Sequence, residues 1–135
     1  MNKKELIWRE ILMQVLDQKV YQFTQKKLAG KLGVSLSTVF NALKAPRQSN
    51  IIQVTGRNFR VRDPERFLVL WGTARNISAD KIYQTRAEGS IADIENSMPA
   101  SAVYGAYSAY RKMFADVPAD YDHIYVYAYD LAEIK

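Results

Sequence analysis

An α+β fold is what this amino-acid sequence predicts, with a helical, basic N-terminal part followed by a small, acidic α/β part. Three observations carry that reading. Apolar residues recur at helical spacing over 3–18 and again over 24–44. Two β-prone runs, Ile51-Ile52-Val54 and Phe59-Val61, flank Gly56-Arg57-Asn58, which has the composition of a hairpin turn. Charge divides the chain: residues 1–76 hold fourteen Lys and Arg against five Asp and Glu, a balance of +9, whereas residues 77–135 hold five against nine, a balance of −4.

The first element is an amphipathic helix over 3–18, with Ile7, Ile11 and Val15 on one stripe, Leu12 and Leu16 beside it, and Trp8 extending the apolar face. A short connection through Tyr21 and Phe23 follows. Thr24 then caps a helix carrying Leu28, Ala29 and Leu32, and Gly33 supplies the left-handed residue that stops it. Val34 plugs the turn, Ser35 caps a second helix, Val39, Ala42 and Leu43 hold that helix down, and Pro46 closes it. Two short helices so patterned must cross steeply, which is a helix-turn-helix. The hairpin that follows directly has the position of a wing, with Arg57 at its tip and Arg60 and Arg62 on one face of its return strand. Asp63-Pro64 opens another helix, packed through Phe67, Leu70, Trp71 and Ala74, and Asn76 is its expected C-cap.

The domain boundary is placed at 76, giving a winged helix-turn-helix over 1–76 and an acidic α/β domain over 77–135. In the second part, residues 81–85 read as a short strand. Ser90 caps a helix with Ile91 and Ile94, Asp93 favours its dipole, and Pro99 ends it. Residues 103–115 run from a brief strand into a helix. Residues 123–131 alternate Ile124, Val126 and Ala128 against Tyr125, Tyr127 and Tyr129, a period-2 strand with one tyrosine-lined face. A terminal strand needs a partner, which is either the earlier strand or a segment outside this chain.

Composition removes several function classes. With no cysteine and one histidine, neither disulfides, a thiolate metal site nor a multi-histidine zinc site is available. No secretory signal opens the chain, and no apolar run approaches the ~20 residues a membrane span needs. A soluble cytoplasmic protein without cofactor is the expectation.

The basic half points to double-stranded DNA, because clustered Lys and Arg bind phosphates through counterion release. Ser35, Ser37 and Thr38 stand at the start of the second helix, the part of the motif that enters a major groove deepest. Asn41 suits bidentate contact with adenine. Lys44 and Arg47, near the end of that helix, together with Lys26 and Lys27 (and Lys31) on the first, are candidates for phosphate, and Arg57, Asn58 and Arg60 for the wing. Phe40 is ambiguous beside Val39. A sequence-specific regulator acting as a homodimer on half-sites one helical turn apart is the leading reading, without enzymatic activity.

Two alternatives stand beside it. One is a helix-turn-helix that docks proteins. The other is nucleotidyl transfer: Asp120-Tyr121-Asp122 before a strand, with Gly105-Ala106 opening the preceding helix, is the pattern by which paired carboxylates hold Mg²⁺ near a triphosphate. Seven tyrosines (104, 107, 110, 121, 125, 127 and 129) crowd the last third, as either a small core or a protein-partner surface.

The succession GRNFRVRD, PERFLVLWGTARNI, YGAYSAYRKMF and YDHIYVYAY resembles prokaryotic winged-helix regulators related to AbiEi-type antitoxins. That resemblance implies a winged helix followed by a degenerate nucleotidyltransferase-like domain. It also implies promoter binding through Ser37, Thr38, Asn41 and Arg57.

Overall fold

The computed structural model describes residues 2–117, 119–127 and 132. Helix α1 (Lys3–Gln18) starts at a reciprocal cap: Asn2 Oδ1 accepts from the Glu5 amide at 2.9 Å while the Glu5 carboxylate reaches back to Asn2. Ile7, Trp8, Ile11, Leu12 and Val15 are buried, as the helical spacing predicts, but Leu16 is exposed.

Where the sequence suggests only a connection, Gln22–Thr24 form strand β1. The cause is non-local, since these residues pair antiparallel with Asn58–Arg60 and Phe23 stacks on Phe59 at 5.4 Å. Helix α2 (Gln25–Leu32) is capped by Thr24 Oγ1, which accepts from the Lys27 amide at 3.2 Å. Gly33 (φ 62°) ends it, and the Val34 amide donates to Ala29 O at 3.0 Å. Helix α3 (Leu36–Gln48) begins at Ser35, whose Oγ accepts from the Thr38 amide at 3.1 Å.

Pro46 does not close α3; it lies buried within it, and the helix runs on to Gln48. A proline inside a helix leaves the carbonyl four residues back without its donor. Here that carbonyl, Ala42 O, accepts instead from the Trp8 indole Nε1 at 2.7 Å. The helix therefore continues past its proline.

Strands β2 (Ile52–Thr55) and β3 (Asn58–Val61) form the hairpin. Its turn is only Gly56-Arg57, and Asn58, expected in the turn, opens β3 opposite Thr55. Gly56 takes φ 60°, the positive value that a tight two-residue turn requires if the strands are to keep their twist. The sheet order is β1-β3-β2, so the return strand is central.

Helix α4 (Pro64–Ala74) starts at Asp63, whose Oδ1 accepts from the Arg66 amide at 2.9 Å. Its Phe67 is fully buried and meets the Trp8 ring edge-on at 5.9 Å. The C-cap is Arg75, not Asn76. Asn76 instead caps the four-residue helix α5 (Ile77–Asp80), its Oδ1 accepting from the Ala79 amide at 3.2 Å. A short amide side chain serves either end of a helix, and the amides that follow claimed it.

The chain divides into two compact units, Met1–Ile82 and Tyr83–Lys135. No strand forms over 81–85, where Ile82 is 82% exposed. A strand exists only as part of a pair, and in the second unit β4 (Val103–Gly105) and β5 (Tyr125–Tyr127) pair antiparallel with each other. Residues 123 and 124 precede that strand, and 128–131 of the expected run lie outside the described residues. Helix α6 (Ile91–Ser97) has the Ser90–Asp93 capping box, and α7 (Ala106–Phe114) follows β4 directly. The result is α+β, with seven helices and two small sheets among the described residues.

Candidate nucleic-acid interface

The outer face of α3 exists because its inner face is fully used. Val39, Ala42, Leu43 and Pro46 are buried, Ala45 packs half-buried beside them, and the exposed positions lie on the other side. Ser37, Asn41, Lys44 and Arg47 are exposed, and Thr38 is half-buried. The three hydroxyls at the helix start are joined: Ser35 Oγ lies 2.9 Å from Ser37 Oγ and 2.8 Å from Thr38 Oγ1. Ser35 is thus committed to capping and ordering this turn. Asn41 is the first amide side chain on the exposed face, one turn further on.

On α2, Lys26 and Lys27 are exposed. Lys31 is otherwise engaged, with its Nζ 2.6 Å from Glu10 Oε1 on α1. Burial would raise the Glu10 carboxyl pKa, but the bonds from Lys31 and Gln14 and the charges of Lys31 and Arg9 hold it below the usual carboxylate range. The pair ties α1 to α2, with the Lys31 side chain still 56% exposed.

Arg57 is exposed at the wing tip, while Asn58 is half-buried in β3. Arg60 stands on the open face of the sheet, directly opposite Gln22 of β1 and Gln53 of β2. Opposed residues in a ladder project to the same side, so Gln22, Arg60 and Gln53 form one polar row. The two glutamines escaped the sequence reading, because the β1 pairing that aligns them has no local signal.

The residues of the nucleotidyltransferase-like pattern lie in the second unit. The space a side chain would take at Gly105 is occupied by the Tyr127 ring, whose Cε2 lies 3.0 Å from an ideal Cβ. Asp120 is exposed, and Asp122 Oδ1 lies 2.5 Å from His123 Nδ1, a contact that holds the Asp122 carboxyl below its ordinary range. Among the described residues no group of three or more His, Asp or Glu is arranged to hold a metal ion.

The polar centre of this unit is Glu95 of α6, which is buried. Tyr121 Oη donates to its Oε1 at 2.9 Å, Arg111 pairs with its Oε2, and Tyr104 Oη donates to its backbone carbonyl at 2.7 Å. Burial would push the carboxyl pKa up. Ser108, a nearby buried dipole outside hydrogen-bonding geometry, acts with Tyr121 and Arg111 to hold it below the usual range. Sequence reading passed over Glu95, because a lone glutamate on a short helix resembles any solvated one.

A family model described as Firmicute plasmid replication protein (RepL) matches residues 1–80. The chain belongs to the RepL family. RepL is a plasmid replication family with a winged-helix DNA-binding domain, and the match runs from α1 to the end of α5, covering the three-stranded sheet and the helices around it. The match is to RepL, and the likeness to AbiEi-type antitoxins expected from the sequence is not shown. No curated protein and no solved structure matches the chain. In this RepL-family chain no helix of the described residues is long and apolar enough to cross a membrane.

Proposed function

We propose that this RepL-family chain is a cytoplasmic, sequence-specific double-stranded DNA-binding protein that acts in plasmid replication by binding plasmid DNA. The observation that carries the reading is the outer face of α3, where Ser37, Asn41, Lys44 and Arg47 are exposed on a helix pinned from behind by four buried residues. In this reading α3 lies in the major groove. Asn41 contacts adenine, Ser37 and Thr38 approach base edges, and Lys44, Arg47, Lys26 and Lys27 meet phosphate. Arg57 and Arg60 of the wing reach the adjoining backbone or minor groove. The chain acts by binding, without catalysis.

We further infer a homodimer on paired half-sites, with protein contacts made by the second unit. Its exposed Tyr107, Tyr110, Met113 and Phe114 support that assignment, being aromatic and apolar residues of the kind enriched at interfaces. Control of the replicon's own transcription through the same sites is compatible with this mode of binding. The match to a replication family favours this role over that of an antitoxin.

Selection of duplexes from a random pool, followed by mobility shift across a salt series, tests the reading. A defined sequence should be enriched, and log affinity should fall with log salt at about −0.9 per phosphate neutralised. Failure to retain any duplex would sink the proposal.

A further inference from the structure

Two large apolar side chains on α3 face away from the core: Leu36 is 53% exposed and Phe40 50%. Neither holds the helix in place, since Val39, Ala42, Leu43 and Pro46 do so from the other side. One helical turn apart, Leu36 and Phe40 form a row that borders Ser37, Asn41 and Lys44. The Lys44 ammonium sits 5.6 Å from the Phe40 ring centroid, restraining the ring beside the helix. Leu36 is the first residue of α3, in the turn that goes deepest when such a motif docks.

Water gains nothing from an exposed Leu–Phe row, so its natural partner is an apolar surface. Base edges in the major groove offer one such group, the C5-methyl of thymine. An A·T pair presents that methyl beside the adenine N6 and N7 that suit Asn41. We propose that Leu36 and Phe40 read thymine methyl groups, so that the preferred site places thymines next to the adenine contacted by Asn41. This inference rests on the double-stranded DNA reading above and adds the chemistry of its specificity.

Deoxyuridine differs from thymidine by that methyl alone, which makes a clean test. The full chain is used to select duplexes from a random pool, and the selected duplex is resynthesised with single thymidines replaced by deoxyuridine. Wild-type protein should bind about fourfold more weakly for each methyl removed at a contacted position. The salt slope should not change, because no phosphate contact is lost. Phe40→Ala and Leu36→Ala should bind the thymine duplex more weakly and lose the thymine–uracil difference at their positions. Both residues are exposed, so the variants should melt with wild type.

Equal wild-type affinity for thymine and uracil duplexes would overturn methyl readout while leaving DNA binding intact. An unchanged thymine–uracil ratio in both variants would do the same. A change in the oligomeric state of either variant without DNA, seen by sedimentation, would make the row a contact between copies and also overturn it. Retention of no duplex at all would overturn this inference and the proposed function together.

Discussion

The Trp8 indole donates to the carbonyl of Ala42 at 2.7 Å, across 34 residues of sequence. That carbonyl is the one Pro46 cannot serve from within α3. A helix-breaking residue in the last turn of α3 is thereby tolerated, and the first helix of the chain becomes the brace of the third.

Trp8→Phe should leave Ala42 O unsatisfied and destabilise the first unit by roughly 1–3 kcal/mol, beyond any packing loss. Adding Pro46→Ala supplies a backbone amide to the same carbonyl and should recover part of that cost. Urea unfolding of the two single variants and the double variant measures the coupling directly. Additive effects would mean that the indole bond and the proline are unrelated.

Ser35 is a cap before it is anything else. Ser35→Ala should cost ~1 kcal/mol of stability, whereas Ser35→Asn should retain most of it. Denaturant midpoints check this, and a Ser35→Ala variant as stable as wild type would show the cap to be idle.

Asn41 and Arg57 should fail in different ways. Asn41→Ala should lose about 1–3 kcal/mol of discrimination at one A·T pair with an unchanged salt slope. Arg57→Ala should weaken binding to all sequences alike and reduce the slope by about one phosphate. Mobility shifts on matched and mismatched duplexes across a salt series separate the two.

Acid should loosen the second unit through Glu95. Its folded pKa lies below the ordinary 4.5, so the unfolded chain takes up the proton first as pH falls. The stabilisation is therefore complete above about 4.5 and is lost as pH drops through the depressed folded value. Asp93, held low by Ser90, adds a smaller, solvent-screened share of the same sign. Glu95→Gln should flatten the acid limb of stability, read by the tyrosine signals of Tyr104 and Tyr121. An unchanged limb would place the titration elsewhere.

Local chemistry was readable in advance, and long-range chemistry was not. Thr24, Ser35, Asp63 and Ser90 each accept from an amide within their own turn, Gly33 donates its own amide to Ala29 O, and each cap stands where the residue types put it. Strand β1 is three residues long and exists through pairing with β3, so no alternation within QFT could announce it. Pro46 looked like an end because its compensation comes from Trp8. The run KIYQT has strand propensity but lies outside the strands of the described residues. Glu95 gathers Tyr104, Arg111 and Tyr121 from three separate segments, a convergence invisible to any spacing rule. On the interface itself, the exposed side of α3 follows from helical periodicity, but the polar row through Arg60 needed the sheet.

The central position of β3 has a thermodynamic consequence. All three residues Asn58–Arg60 are paired on both sides, to β1 and to β2, so the wing projects free of the sheet only at Gly56-Arg57. Such a stub surrenders its backbone entropy when the chain folds, leaving little to surrender on contact with a ligand. Association through it should therefore resemble the meeting of two finished surfaces, rapid and with a small heat-capacity change, rather than a loop condensing around its target.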